Sequence, residues 1–106
     1  MRKIETIQLR PRNRCSTGFD FVEDDEDPED CDGHGTHVSG VIAGNNVGIA
    51  PRAFIHAIRV LDCHGDGQTS DVIAALDWVA THAERPAVIT LSLGVRCVHA
   101  DARIGS

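Results

Sequence analysis

The chain has no tyrosine, one tryptophan, three phenylalanines and one methionine among its 106 residues, so its interior must be built from aliphatic side chains and alanine. Basic side chains are also few: Lys and Arg number 10 against 16 Asp and Glu, for a formal charge of −6. That balance excludes nonspecific nucleic-acid binding, which needs clustered cations to displace counterions from phosphates. No apolar run approaches the ~20 residues of a membrane-spanning helix, so no membrane partner is expected. The first residues, Met1-Arg2-Lys3-Ile4-Glu5-Thr6, carry charge but no apolar segment of the kind found in a secretory signal. A chain this short supports one modest core and not a second domain, and it contains no internal repeat.

The acids that are present are crowded together. Asp20, Glu23, Asp24, Asp25, Glu26, Asp27, Glu29, Asp30 and Asp32 fall in one stretch. Cys15, Cys31, Cys63 and Cys97 permit two disulfides in three connectivities, or free thiols in a reducing compartment.

Periodicity divides the chain. Residues 1–17 are polar and Arg-rich, with Pro11 and no clear pattern, and read as irregular. Residues 19–22 suggest a short strand leading into the acidic loop 23–32. A helix is expected from His34 to about Ala43, ended by Gly44-Asn45-Asn46. Glycine inside a helix costs roughly 1 kcal/mol relative to alanine, so Gly35 and Gly40 suggest close approach by a neighbouring backbone. Residues 53–61 (AFIHAIRVL) place apolar side chains on both alternating faces, as in a strand covered on both sides. Ser70 reads as an N-cap with Asp71 favourably placed in the first helical turn. Val72, Ala75, Leu76, Val79 and Ala83 then recur at helical spacing as one apolar stripe. Residues 87–93 (AVITLSL) read as another buried strand, and the order strand, helix, strand suggests a right-handed parallel βαβ unit.

The most informative segment is Asp32-Gly33-His34-Gly35-Thr36-His37-Val38-Ser39-Gly40. It sets a histidine between two glycines at the mouth of a helix of small residues. It resembles the histidine motif of the subtilisin-like serine proteases, G-H-G-T-H-[VC]-[AS]-G. Further matches are Gly18-Phe19-Asp20-Phe21-Val22, Asp30-Cys31-Asp32, Val47-Gly48-Ile49-Ala50, Arg59-Val60-Leu61-Asp62-Cys63, Asp77-Trp78-Val79 and Leu91-Ser92-Leu93-Gly94. Together they cover 18–94 and are similar to the proteinase-K-like branch, with 1–17 and 95–106 as unmatched flanks.

The resemblance implies an α/β three-layer fold with a largely parallel sheet, incomplete in this chain, and serine-type endopeptidase activity. It makes His34 the catalytic base, a role suited to imidazole because its ordinary pKa near ~6.5 lets it take and return a proton. His37 becomes a supporting residue. Gly65, Asp66 and Gly67 on one side, and Ser92, Leu93 and Gly94 on the other, become the edges between which a polypeptide substrate lies as an added strand. A disulfide between Cys31 and Cys63 is implied, worth about 3–4 kcal/mol in the loop-entropy picture. Free thiols, or a zinc site using Cys31, His34, His37 and Cys63, are the alternatives. Some relatives bind structural calcium at positions matching Asp20 and Asp25, and the alternative there is a solvated acidic loop. No cofactor is implied for catalysis. The full-length relative is expected to be extracellular and monomeric.

The pattern departs from the family at both ends. No D-[ST]-G occurs upstream of His34, and no G-T-S-M-A occurs downstream; Ser92 and Ser106 lack the context of a nucleophile. The expectation is therefore a protease fragment carrying the base without the aspartate and serine, inactive alone. The alternative is a catalytically dead peptide-binding remnant or pseudogene product.

Overall fold

Alternation along one central strand organises the molecule. The computed structural model describes residues 3–9, 15–96 and 103–105, with side chains described for 18–94. In chain order the elements are β1 (Lys3–Leu9), β2 (Cys15–Asp20), α1 (His34–Ala43), β3 (Ala53–Arg59), β4 (Gly67–Gln68), α2 (Thr69–His82), β5 (Ala87–Thr90), β6 (Gly94–Arg96) and β7 (Arg103–Gly105). Successive side chains of a strand point to opposite faces. Ala53 and Ile55 of β3 accordingly join Ala43 of α1 in one buried cluster, with Ile42 and Ala50 against it. Ile58 and the following Val60 face the other way, and with Leu61 they pack on Val72, Ala75 and Val79 of α2. Helices thus cover both faces of the strand, which is the three-layer α/β arrangement expected.

The main sheet has the order β2-β3-β1-β5. β2 pairs parallel to β3, whereas β1 runs antiparallel to both β3 and β5. β2, β3 and β5 therefore point the same way and β1 points against them. The strand–helix–strand expectation holds in direction only, because β1 lies between β3 and β5.

Four local readings are corrected. Residues 1–17 are not irregular throughout: Lys3–Leu9 is a strand, and β2 already begins at Cys15. The β-branched Ile4, Thr6 and Ile7 favour a strand, and the two neighbours supply the register that alternation alone does not show. Ser70 is not the cap of α2, which starts two residues earlier than that cap implies, at Thr69, with Gln68 at the N-cap and no side-chain capping bond; the Ser70 hydroxyl donates to Gln68 Oε1 at 3.4 Å instead. A Cβ on Gly40 would meet no atom within contact range, so no close backbone approach explains that glycine. Finally, β5 is not buried: Val88 is 63% exposed, and Ile89 and Leu91 also face solvent. The α2 stripe is as read, with Val72, Ala75 and Val79 buried and Leu76 and Ala83 packed against them.

Candidate active site

His34 is the first residue of α1, and the loop before it is arranged to hold that position. Gly33, the N-cap, has φ 94°, a left-handed conformation that glycine adopts without the penalty a side chain incurs. The capping side chain comes from Asp30. Its Oδ1 accepts the Gly33 N–H at 2.8 Å and the Asp32 N–H at 3.2 Å; its Oδ2 accepts the Thr36 N–H at 2.8 Å and also the Thr36 hydroxyl. One carboxylate thereby satisfies donors that the first helical turn leaves open. Partial burial alone would raise the Asp30 pKa, but the bonds from the Thr36 hydroxyl and the Gly33 and Thr36 amides outweigh it and hold it well below the usual carboxylate range. Sequence reasoning missed Asp30, because the usual signal looks for a cap directly before the helix and this one lies three residues before the N-cap. His37 follows one turn on, its N–H bonded to the Gly33 carbonyl at 3.0 Å.

Beneath this loop lies a buried cation. Arg59 is 3% exposed and its Nη1 lies 2.8 Å from Asp20 Oδ2 and 3.3 Å from Glu23 Oε1. Burial works against the charge, but the bonds and fields of Asp20 and Glu23 prevail and raise its pKa above the ordinary arginine value. Arg59 Nε donates to the Leu61 carbonyl at 3.2 Å, and Nη2 approaches Cys31 Sγ at 3.6 Å and Cys63 Sγ at 3.7 Å. Those two cysteines form a disulfide with Cα atoms 5.1 Å apart. The expected bridge is present, and it leaves neither free thiols nor zinc-ligating thiolates at these positions. The pairing of Cys15 and Cys97 lies outside the described residues.

The disulfide joins the His34 loop to the turn at 62–66. There Asp62 Oδ1 accepts the His64 and Asp66 amides at 2.9 and 3.0 Å, its carbonyl accepts Gly65 N–H, and its own N–H donates to the Asp66 carbonyl. The Asp66 backbone bond leads the causes that lower the Asp62 pKa, with burial opposing and the His64 N–H adding to the drop. Gly67 follows where a Cβ would collide with the Val60 carbonyl. Of the residues expected on the two substrate edges, Gly65 is buried, Asp66 is exposed and Gly67 begins β4; Ser92 is exposed, Leu93 packs against the α2 core and Gly94 begins β6. The two edges belong to one small sheet of order β4-β7-β6. In it Gly67 lies opposite Ile104 and Gly94 opposite Gly105. The chain's own strand β7 occupies the lane between them.

The acidic loop is closed by backbone bonds between Asp20 and Asp25 in both directions. The Asp20 side chain is fully buried, with Oδ1 taken by the Val22 and Glu23 amides and Oδ2 by Arg59. A dication at this carboxylate would face the guanidinium, so Asp20 does not fit as a side-chain calcium ligand. Asp25 is exposed, and one of its oxygens accepts the Asp27 N–H at 2.8 Å. Among the described residues no cluster of three or more His, Cys, Asp or Glu side chains is gathered for a metal ion.

The sequence pattern of the Subtilase family matches residues 10–104, reaching further at both ends than the motifs quoted above. Alkaline serine exoprotease A of Vibrio alginolyticus is 51% identical over 81 residues, covering 76% of this chain and 15% of its own length. The extracellular serine proteinase of Thermus sp. (strain Rt41A) is 48% identical over 81 residues, covering 76% and 20%. Subtilisin-like protease 3 of Pseudogymnoascus destructans is 44% identical over 96 residues, covering 86% and 23%. The crystal structure of a cold adapted subtilisin-like serine proteinase superposes with a TM-score of 0.65 at 51% identity, covering 67% of this chain and 26% of that one. The chain thus spans less than a quarter of the length of each of these curated relatives.

Proposed function

The chain belongs to the Subtilase family, and from that premise we propose that it supplies the general base and the substrate edges of a serine-type endopeptidase. The observation that supports this reading best is the placement of His34. It stands at the open mouth of α1, and the Cys31–Cys63 bridge ties its loop to the turn that leads into β4. In such a site the imidazole accepts the hydroxyl proton of the nucleophile and returns it to the leaving amine, while a third group fixes its tautomer. Asp30 is not that third group, since its oxygens are engaged by Gly33, Thr36 and Asp32. Asp30 acts as a positioning residue.

Because neither D-[ST]-G nor G-T-S-M-A occurs in the sequence, the 106 residues alone are proposed not to hydrolyse peptides. The whole protein is proposed to act on polypeptides outside the cell as a monomer; no described helix is long and apolar enough to cross a membrane. Calcium, where the resemblance implies it, is proposed to depend on Asp25 rather than on the Asp20 carboxylate. The alternative reading, a non-catalytic peptide-binding remnant, is favoured by one observation: β7 fills the lane a substrate strand would need.

The test is a chimera in which 18–94 replaces the matching segment of the Thermus proteinase. It is expected to cleave a chromogenic peptide, and His34→Ala is expected to lower kcat by at least about a thousandfold. A folded chimera without activity, or one indifferent to His34→Ala, overturns the proposal.

A further inference from the structure

We propose that the Cys31–Cys63 disulfide is a thiol-exchange site, opened by a glutathione-class thiol and primed by Arg59, and that opening it frees the His34 loop from the 62–67 turn. Three observations converge on it. Both cysteines are exposed, whereas the guanidinium beside them is buried. Arg59 divides its donors, with Nη1 toward Asp20 and Glu23 and Nη2 toward the two sulfurs at 3.6 and 3.7 Å. The bridge also joins two segments, one capped by Asp30 and the other closed by Asp62.

A disulfide sulfur is a weak acceptor, so Nη2 gains little from the oxidised pair. A thiolate in the same place accepts a charge-assisted bond from a cation that never deprotonates. The fixed guanidinium therefore favours the reduced state and improves the leaving group. The carboxylates next to the cysteines in sequence, Asp30, Asp32 and Asp62, oppose a thiolate, but Asp30 is directed to Gly33 and Thr36, and Asp62 to His64 and Asp66. His64 adds a further titratable group beside Cys63.

The chemistry balances with thiol as the only reductant. An external thiolate attacks one sulfur, a new S–S bond forms, and the old one breaks with its electron pair leaving on the other sulfur beside Arg59. A second external thiolate attacks the mixed disulfide and releases the remaining cysteine. The protein gains two electrons and the protons its thiols require, and two external thiols become one external disulfide.

The experiment equilibrates the 106-residue chain in mixtures of reduced and oxidised glutathione. Differential alkylation and peptide mass spectrometry read Cys31 and Cys63 separately from Cys15 and Cys97. The Asp20→Asn/Arg59→Gln variant, which removes the cation together with its buried partner, is expected to need a mixture about tenfold more reducing for half-opening. An unchanged midpoint overturns the proposal. A second measurement needs only the wild-type chain, in case the variant does not fold. After reduction, the faster of Cys31 and Cys63 is expected to react with iodoacetamide at pH 6 about tenfold faster in the native chain than in urea; an equal or slower native rate overturns the proposal. Neither readout involves peptide hydrolysis, so failure here leaves the protease reading standing.

Discussion

Asp30 illustrates how one side chain fixes the place of another. It contacts no reacting atom, yet it organises the backbone amides around His34. Asp30→Ala is expected to cost about 1 kcal/mol, the usual loss for a helix cap, read as a lower midpoint in thermal melting at pH 7. The pH dependence follows from the sign of its shift. The folded pKa lies below the ordinary value, so the native state binds fewer protons than the unfolded chain in that window. The contribution is complete above the ordinary carboxylate value near ~4 and fades as the pH falls toward the depressed one. The stability difference between wild type and Asp30→Ala should therefore shrink between about pH 5 and pH 3. A difference that stays constant across that range would mean the carboxylate charge is not what holds the loop.

At the scale of elements, legibility in the sequence tracked the kind of force involved. α1 and the stripe of α2 were readable because helical periodicity is local and burial follows it. β3 was readable because both its faces are covered, so both sets of side chains are apolar. β1 was not readable: its place between β3 and β5 depends on backbone pairing with segments far along the chain, which leaves no short-range mark. β5 misled for the opposite reason, since an apolar run reports what a strand can bury and not whether anything covers it. In the site, the glycines and His34 were visible as a motif, whereas Arg59 was visible only as part of Arg-Val-Leu-Asp; its role arises from contacts with Asp20, Glu23 and the two sulfurs. These distinctions predict unequal mutational costs. Ile58→Ala, at a fully buried position, should destabilise by about 2–5 kcal/mol. Ser70→Ala, which removes no capping bond, should stay within about 0.5 kcal/mol of wild type. Urea unfolding followed by circular dichroism measures both.

At the scale of the whole molecule, one edge of the main sheet is uncovered among the described residues. β5 is an edge strand of the main sheet, with Val88, Ile89 and Leu91 in solvent. Beside it Leu76, Val79, Ala83 and Pro86 help line a groove of about 800 Å³. An apolar edge of this kind is an association hazard for an isolated chain. At high protein concentration the wild-type chain is expected to bind an apolar dye and to sediment as aggregates, whereas the exchange and unfolding measurements use the dilute chain. Val88→Lys, which places a charge on the exposed edge, should reduce both without lowering the melting midpoint. Equal dye binding and equal aggregation in the variant would locate the sticky surface elsewhere. The small sheet β4-β7-β6 carries a different consequence. β7 belongs to the same chain as the two edges it separates, so it competes for that lane at an effective concentration that an outside peptide must match. A peptide that pairs no better than β7 must approach that concentration before it displaces it. The lane is thus selective against weak ligands by simple competition, and every change that loosens β7 lowers the concentration at which an outside strand can enter.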